Sequence, residues 1–143
     1  MPDKHVLDIT GLVIEATSCP PGEKPSTVTL VRGVDLKLER GKVLGLIGES
    51  GAGKSTIGLS AMAYGRGGAR LVAGEIKVNG RDIRHASPAE LRKLRGRKVT
   101  YVSQSAAASF NPSLRLMEQV IETSLSYNYM SRVQAEERAI ELF

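Results

Sequence analysis

The chain begins with two segments whose apolar residues predict β-strands. Residues 6–16 are rich in Val, Leu and Ile, and Gly11 lies where this strand could break. Residues 28–38 partly alternate between apolar and polar side chains, a period of two that is typical of a half-buried strand. Proline and glycine concentrate between them at 18–26, which predicts a loop.

A third apolar segment differs from the first two because it has no polar positions. Residues 43–47 read Val-Leu-Gly-Leu-Ile, which is typical of a strand buried on both faces in a parallel sheet. A glycine-rich stretch follows, and residues 55–64 then predict a helix. We expect Gly65, Gly67 and Gly68 to end that helix.

The remaining residues continue to mix strands and helices, which predicts an α/β fold. The expected elements are a strand at 74–78 turned at Asn79-Gly80, a helix at 88–94 opened by Ser87 with Glu90, a strand at 99–103, a loop at 104–115, a helix at 116–125, and a last helix opened by Ser131 with Gln134. The last helix has no C-cap glycine or proline, so we expect a longer protein; a natural, frayed terminus is the alternative.

Composition adds limits to this picture. The chain has 143 residues, a net charge of +5 and one cysteine, Cys19, which is consistent with a reducing compartment. Its N-terminus lacks the apolar run of a signal peptide, and no stretch approaches the roughly 20 apolar residues of a membrane helix. The sequence therefore indicates a protein that is soluble or held at a membrane by a partner.

The glycine-rich stretch after the third strand matches the pattern G-x-x-x-x-G-K-[ST]. It reads Gly48-Glu49-Ser50-Gly51-Ala52-Gly53-Lys54-Ser55-Thr56. Its position between a buried strand and a helix is the context that a phosphate-binding P-loop requires. The sequence therefore predicts that all nine residues bind the phosphates of a nucleoside triphosphate together with Mg²⁺.

The residue types of this loop suit that chemistry. Glycines let several backbone N–H groups approach the phosphate oxygens, and the following helix begins with further N–H groups. Lys54 is expected to reach the β- and γ-phosphates, while the Ser55 hydroxyl is a candidate Mg²⁺ ligand. Thr56 is expected near the α-phosphate. The motif alone leaves open whether the protein is a kinase, a GTPase, a helicase or a transporter ATPase.

Residues outside the loop narrow this choice. The strand pair, the P-loop beginning Gly-Glu-Ser-Gly, the Gly74 to Gly80 hairpin and the strand ending in Tyr-Val-Ser-Gln104 together resemble the nucleotide-binding domain of ABC transporters. Asn111-Pro112 lies seven residues beyond Gln104, which resembles the ATPase subunits of dipeptide, oligopeptide and nickel importers. The resemblance extends from about Leu7 to the end of the chain.

This resemblance implies a role and a set of partners. Gln104 matches the glutamine that completes the Mg²⁺ and attacking-water shell in that family. The resemblance therefore implies Lys54 and Gln104 as candidate catalytic residues, and Ser55 and Gln104 as candidate metal ligands. The alternative is that Gln104 is a surface glutamine at a strand end. The implied cofactors are ATP and Mg²⁺. The implied partners are a second ATP-binding subunit, membrane permease subunits and, indirectly, a substrate-binding protein, at the cytoplasmic face of the inner membrane. No nucleic acid is expected.

The chain also departs from the family pattern. The family stacks adenine on an aromatic residue near the end of the first strand, but the matching position here is Ala16. Ser105-Ala106 replaces the common Asp-Pro after the glutamine. The signature motif, the Walker B carboxylates and the switch histidine would all follow residue 143. Residues 1–143 thus resemble the first ~60% of a nucleotide-binding domain, incomplete at the C-terminus.

Other polar features have simpler interpretations. Five of the seven residues at 92–98 are basic, which suits nucleic acid or anionic lipid, but we favour a solvated helix end because no aromatic residue is interleaved. His5 and His85 are expected at the surface. Two alternatives to an importer subunit remain: a non-transport ABC-type ATPase acting on nucleic acid or the ribosome, and a nonfunctional remnant.

Overall fold

The structure, a computed structural model, describes residues 4–19, 21–22, 24–65, 67–105 and 109–142. It divides into two compact units, residues 1–100 and 101–143. The elements in chain order are β1 (His5–Ser18), β2 (Ser26–Glu39), α1 (Lys54–Ser60), β3 (Ala69–Val78), β4 (Arg81–Asp82), α2 (Pro88–Leu94), α3 (Leu116–Ser126) and α4 (Arg132–Leu142). This arrangement of a sheet with helices confirms the predicted α/β class.

The first unit is built around an antiparallel sheet with the strand order β2-β1-β3-β4. The two predicted N-terminal strands are confirmed and pair with each other along most of their length. Strand β1 buries Ile9, Leu12 and Ile14, which pack with Ile76 of β3. This sheet therefore forms the core of the first unit.

Gly11 bends β1 without breaking it. The pairing of β1 shifts register between Ile9 and Leu12, and Gly11 has a φ of +59°, as in a β-bulge. Its N–H donates to the Asp35 carboxylate at 2.6 Å. A Cβ added to Gly74 of β3 would lie 2.5 Å from the Gly11 carbonyl oxygen, so the two strands approach closely only because Gly74 has no side chain.

The prediction of a buried strand at 43–47 is wrong. These residues form no strand in the described part of the chain, and the side chains of Val43 and Ile47 are each 99% exposed. A strand buried on both faces needs hydrogen-bonded neighbours on its edges, and the described sheet provides none for this segment. The predicted strand at 99–103 is also absent: Val99 makes one isolated bridge with Arg95, and Val102 is 89% exposed.

The helices follow their predicted starts more closely than their predicted ends. Ser87 and Glu90 form the expected capping box of α2, and Ser131 and Gln134 exchange the equivalent bonds at the start of α4. Helix α1 is shorter than predicted because it ends at Ser60.

The end of α1 is set by Ala63 and not by the glycines that follow. Ala63 adopts a left-handed conformation with a φ of +50°, the Tyr64 N–H donates to the Leu59 carbonyl, and the Ala63 N–H donates to the Ser60 carbonyl. This is the Schellman pattern. Asn128 ends α3 in the same way, with the Tyr129 N–H bonded to the Ser124 carbonyl.

The second unit contains α3 and α4, packed as a helical pair. Ile121 of α3 is buried against Ala135 and Ala139 of α4. The Arg132 guanidinium bridges Glu118 of α3 at 2.7 Å and Glu136 of its own helix at 3.0 Å. Apolar packing and this ion-pair network together hold the two helices side by side.

Candidate phosphate-binding loop and neighbouring residues

The predicted P-loop lies in the first unit, between the exposed apolar segment and α1. Gly51 and Gly53 have φ values of +85° and +82°, which side chains other than glycine rarely adopt. The Ala52 N–H donates to the Glu49 carbonyl at 3.2 Å and closes a turn within the loop. Gly48, Glu49 and Ser50 are exposed to solvent. The loop is therefore an open, tightly curved segment of main chain.

Gly53 joins this loop to the sheet. It is the N-cap of α1, and a Cβ at this position would lie 2.9 Å from the Leu30 carbonyl oxygen and 3.3 Å from a methyl group of Val31. The start of α1 can rest directly on β2 only because residue 53 has no side chain. The rigid sheet thereby fixes where the loop ends and the helix begins.

Lys54 folds back across the loop. Its Nζ donates to the Gly48 carbonyl at 2.8 Å and to the Glu49 carbonyl at 2.5 Å. The ammonium group is thus held above the curved main chain, at the position from which it can meet an anion. The two carbonyl contacts are ones that a bound phosphate would replace.

The next two side chains point to different surroundings. Ser55 is exposed beside the loop. Thr56 is partly buried and lines a pocket beneath α1 together with Ile14 and Tyr64. The first helical hydrogen bond of α1 runs from the Ile57 N–H to the Gly53 carbonyl. The main-chain N–H groups of residues 54–56 come before this bond, in the first turn, where a helix provides no acceptor.

Arg95 is a supporting residue that sequence reasoning missed. Its Nε donates to the Met62 carbonyl at 3.0 Å, its Nη2 donates to the Ala63 carbonyl at 2.9 Å, and the guanidinium lies 5.9 Å from the Tyr64 ring centre. It therefore satisfies carbonyls just beyond the C-terminus of α1. The prediction for this basic cluster is a solvated helix end, and no sequence signal distinguishes Arg95 from its basic neighbours.

Gln104 and Ala16 occupy separate parts of the chain. Gln104 lies in the second unit, in an exposed irregular segment, whereas the P-loop lies in the first unit. Ala16 lies near the end of β1, opposite Val28 and Ala69, and is partly buried against the core.

Among the described residues there is neither a metal-binding cluster of side chains nor a membrane-crossing helix. No group of three or more His, Cys, Asp and Glu side chains among them is placed to hold a metal ion. None of the described helices combines the length and the apolar character needed to cross a bilayer. His85 is exposed and contacts Asp82 at 2.8 Å, and this hydrogen bond lowers the pKa of the Asp82 carboxyl.

The donor set at residues 48–56 fits a magnesium–nucleotide complex. Main-chain N–H groups and the Lys54 ammonium suit phosphate oxygens, and the Ser55 hydroxyl is an oxygen ligand of the kind Mg²⁺ accepts. Mg²⁺ usually takes only one or two protein ligands beside phosphate and water. The Ser55 side chain, exposed beside the predicted P-loop, is compatible with that requirement.

Comparison with known proteins identifies the relatives of this chain. It is 33% identical over 120 residues to the oligopeptide transport ATP-binding protein AppD of Bacillus subtilis, which covers 83% of this chain and 37% of AppD. It is 34% identical over 116 residues to the dipeptide transport ATP-binding protein DppD of Lactococcus lactis, covering 80% of this chain and 33% of DppD. The chain thus spans about a third of the length of these curated relatives.

Structure and family comparisons agree with these relatives. The ATP-binding cassette MJ0796, solved as a dimer in a post-hydrolysis state with ADP and Pi, matches with a TM-score of 0.67 and 22% identity. That match covers 94% of this chain and 54% of the solved one, and it supports the fold. The family profile described as ABC transporter matches residues 31–142. The chain therefore belongs to the ABC transporter family.

Proposed function

We propose that residues 48–56 bind the phosphates of ATP with Mg²⁺, and that the chain is part of the ATP-binding subunit of an ABC importer. The observation that carries the proposal is the loop itself. Two left-handed glycines, an ammonium group held across the main chain and a helix starting directly afterwards occur in one continuous segment. Family membership and the ATP-binding relatives support the same conclusion.

Binding would begin with an exchange of contacts by Lys54. Its ammonium would leave the Gly48 and Glu49 carbonyls and meet the β- and γ-phosphate oxygens, while main-chain N–H groups of the loop meet the remaining oxygens. The Ser55 hydroxyl would hold the Mg²⁺, which neutralises phosphate charge. Gly53 keeps α1 seated on β2 while these contacts change.

Hydrolysis would need more than these residues. Gln104 is proposed to orient the attacking water and to complete the metal shell, as the family resemblance implies. Signature, Walker B and switch-histidine residues would come from further chain and from a second ATP-binding subunit. The exposed apolar segment at 43–47 supports this proposal, because it has the composition of a central strand but no neighbours among the described residues.

The transported substrate is proposed to be a peptide, with nickel as the alternative within the same importer group. The names of the relatives AppD and DppD support the peptide. The proposed partners are a second ATP-binding subunit, which the dimeric solved relative supports, and two permease subunits that receive the substrate from a binding protein. The proposed location is the cytoplasmic face of the inner membrane, as a peripheral subunit.

An equilibrium titration with a fluorescent ATP analogue tests nucleotide binding. We expect the wild-type chain to bind at up to millimolar concentration only when Mg²⁺ is present. Lys54→Ala should weaken binding by at least about tenfold, since it removes a charge-assisted contact to phosphate. Lys42→Ala is the matched control, because Lys42 is an exposed lysine near the loop, and it should leave affinity within about twofold.

Two results would contradict the proposal. One is the absence of Mg²⁺-dependent binding by the wild-type chain, which favours a nonfunctional remnant. The other is an equal loss in the Lys54 and Lys42 variants, which indicates general charge attraction to the basic chain and not a specific loop.

A further inference from the structure

A tight turn follows the segment that contains Gln104. The Leu114 N–H donates to the Asn111 carbonyl at 3.1 Å, and the Ser113 N–H donates to the Asn111 side-chain oxygen at 3.0 Å. Pro112 occupies the second position, where its fixed φ favours a turn. Residues 111–114, named here the Asn-Pro turn, are all exposed.

One side chain of α3 joins this turn to the helix. The Gln119 Oε1 accepts the Asn111 N–H at 2.7 Å, and its Nε2 donates to the Asn111 carbonyl at 3.0 Å and to the Leu114 carbonyl at 3.1 Å. The Gln119 amide therefore pairs with Asn111 in both directions, as two strands pair in a sheet. Only a side chain that both donates and accepts at this reach satisfies all three contacts.

Gln119 is anchored by the packing of α3 in the helical pair. Gln119 is half-buried and lies two residues before Ile121, the most buried residue of the α3–α4 pair. Arg115, the N-cap of α3, makes no side-chain capping bond among the described residues. The Gln119 side chain therefore ties the preceding loop to α3 without capping the helix.

Serine hydroxyls close the other end of the same segment. Ser103 Oγ accepts the Ser105 N–H at 3.3 Å and donates to the Ser105 carbonyl at 3.0 Å. Ser109 Oγ also donates to the Ser105 carbonyl, at 2.9 Å. The main chain on the C-terminal side of Gln104 is thus bonded to residues before and after it.

We propose that Gln119 is a positioning residue that holds the Asn-Pro turn on α3 and thereby limits the conformations open to the Gln104 side chain. The inference rests on the proposed function in one respect, namely that Gln104 responds to bound nucleotide. An exposed glutamine on a free loop samples many conformations, and each must be lost when it orients a water molecule. The Gln119 amide and the serine bonds remove part of that freedom in advance.

Residue-resolved hydrogen exchange on the 143-residue chain tests the contact without nucleotide. Gln119→Met keeps the length of the side chain but removes its donor and acceptor. We expect exchange of the Asn111, Ser113 and Leu114 N–H groups to become about tenfold faster, the loss set by one or two hydrogen bonds. Gln134→Met on α4 is the matched control and should leave these three groups unchanged, although it breaks the Ser131 cap.

Gln119→Glu gives a signature that general destabilisation would not produce. Near pH 7 its carboxylate faces the Asn111 and Leu114 carbonyls and cannot donate, so protection of the turn should fall. When the pH is lowered through the pKa of the new carboxyl, the protonated form can donate again, and protection should recover relative to wild type at the same pH. The Glu118 carboxyl on the same helix also changes protonation in the acidic range, with its pKa lowered by the Arg132 hydrogen bond, so wild type is measured at each pH.

Unchanged exchange at the Asn-Pro turn in Gln119→Met would overturn the proposal, as would equal loosening in Gln134→Met. A Gln119→Glu variant without recovery at low pH would overturn it too.

The link to function is measured by NMR, from the side-chain amide resonance of Gln104 during titration with Mg²⁺ and an ATP analogue. We expect one shifted signal in wild type and several in Gln119→Met, with affinity within about twofold because the P-loop is intact.

The same titration separates this inference from the proposed function. Wild-type chain that binds nucleotide through Lys54 without a change at Gln104 would contradict the role assigned to Gln104, and hydrogen exchange would still decide whether Gln119 holds the turn. Identical Gln104 responses in wild type and Gln119→Met would overturn the positioning role while leaving the proposed function intact.

Discussion

Strands β1 to β3 and the segment at 43–47 contain the same kinds of residues but bury them very differently. Ile9 is fully buried within the sheet, whereas Ile47 is almost wholly exposed. Strand β1 pairs with β2, which follows it in the chain, and also with β3, which lies far along the chain beyond α1. An apolar composition shows that a segment gains stability from burial. The segment is buried only where other strands are available to pair with it.

The largest expected effect is the difference in stability between an Ile→Ala substitution in β1 and one in the segment at 43–47. Ile9→Ala should lower the free energy of unfolding by about 2 to 5 kcal/mol, because it leaves a cavity in the core of the sheet. Ile47→Ala should change it by less than about 0.5 kcal/mol, since the side chain loses little contact. Chemical denaturation of both variants measures the difference. Similar losses would show that residues 43–47 are buried in solution.

A glycine pair gives the next largest contrast. Gly74→Ala introduces a Cβ that would lie 2.5 Å from the Gly11 carbonyl oxygen, at a φ of +92°, and should cost about 1 to 3 kcal/mol. A Cβ on Gly45 meets nothing within 4 Å, so Gly45→Ala should be nearly neutral. Thermal unfolding compares the two variants. A neutral Gly74→Ala would contradict the close approach of β1 and β3.

Gly53 lies where the sheet meets the P-loop, and its substitution should affect binding. Gly53→Ala strains a φ of +82° and places Cβ 2.9 Å from the Leu30 carbonyl oxygen, so α1 must move away from β2. We expect nucleotide affinity to fall about tenfold, corresponding to strain of one to two kcal/mol.

Gly58→Ala on the same helix provides the control for Gly53→Ala. A Cβ at residue 58 meets nothing within 4 Å, and alanine favours a helix interior, so affinity should be retained and the helix slightly stabilised. Equal affinities in the two variants would show that seating of α1 on β2 does not shape the loop.

The smallest expected effect concerns pH and the α3–α4 pair. The hydrogen bond from Arg132 lowers the pKa of the Glu118 carboxyl below its ordinary 4.5. Its stabilising effect is therefore present above the unfolded pKa and is lost as the pH falls through the folded value. Glu118→Gln should make the stability of the helical pair less dependent on pH between 7 and about 3. Urea unfolding followed by circular dichroism measures this dependence.

Glu122→Gln is the control for that experiment. Glu122 is exposed on the same helix and has no ion-pair partner among the described residues. Its variant should keep the wild-type pH dependence. A matching loss in both variants would assign the effect to overall charge and not to the Arg132 contact.

Local rules predicted the elements whose cause is local. The capping boxes at Ser87 and Ser131 and the Asn79-Gly80 hairpin are set by residues within one turn, and all three are confirmed. The prediction of a buried strand at 43–47 failed because strand pairing depends on residues distant in the chain. The end of α1 was missed because Ala63, which has no special propensity for the left-handed conformation, occupies the C′ position.

The same division between local and distant causes applies to the candidate site. The P-loop at 48–56 stays a prediction, and it could be made from the sequence because the motif depends only on the local spacing of its glycines, lysine and serine. The contacts of Arg95 with α1 and of Gln119 with the Asn-Pro turn were not evident, because they join residues that meet only through the fold. The role of Gln104 stays a prediction that rests on family resemblance alone.

Amide hydrogen exchange of the wild-type chain most directly tests the contrast between the two regions. The N–H groups of β1 that pair with β2 and β3 should exchange at least about a hundredfold more slowly than the N–H groups of residues 43–47. Slow exchange throughout β1 with near-unprotected exchange at 43–47 is the predicted result. Equal protection in the two regions would contradict the account, because it would mean that residues 43–47 already have hydrogen-bond partners.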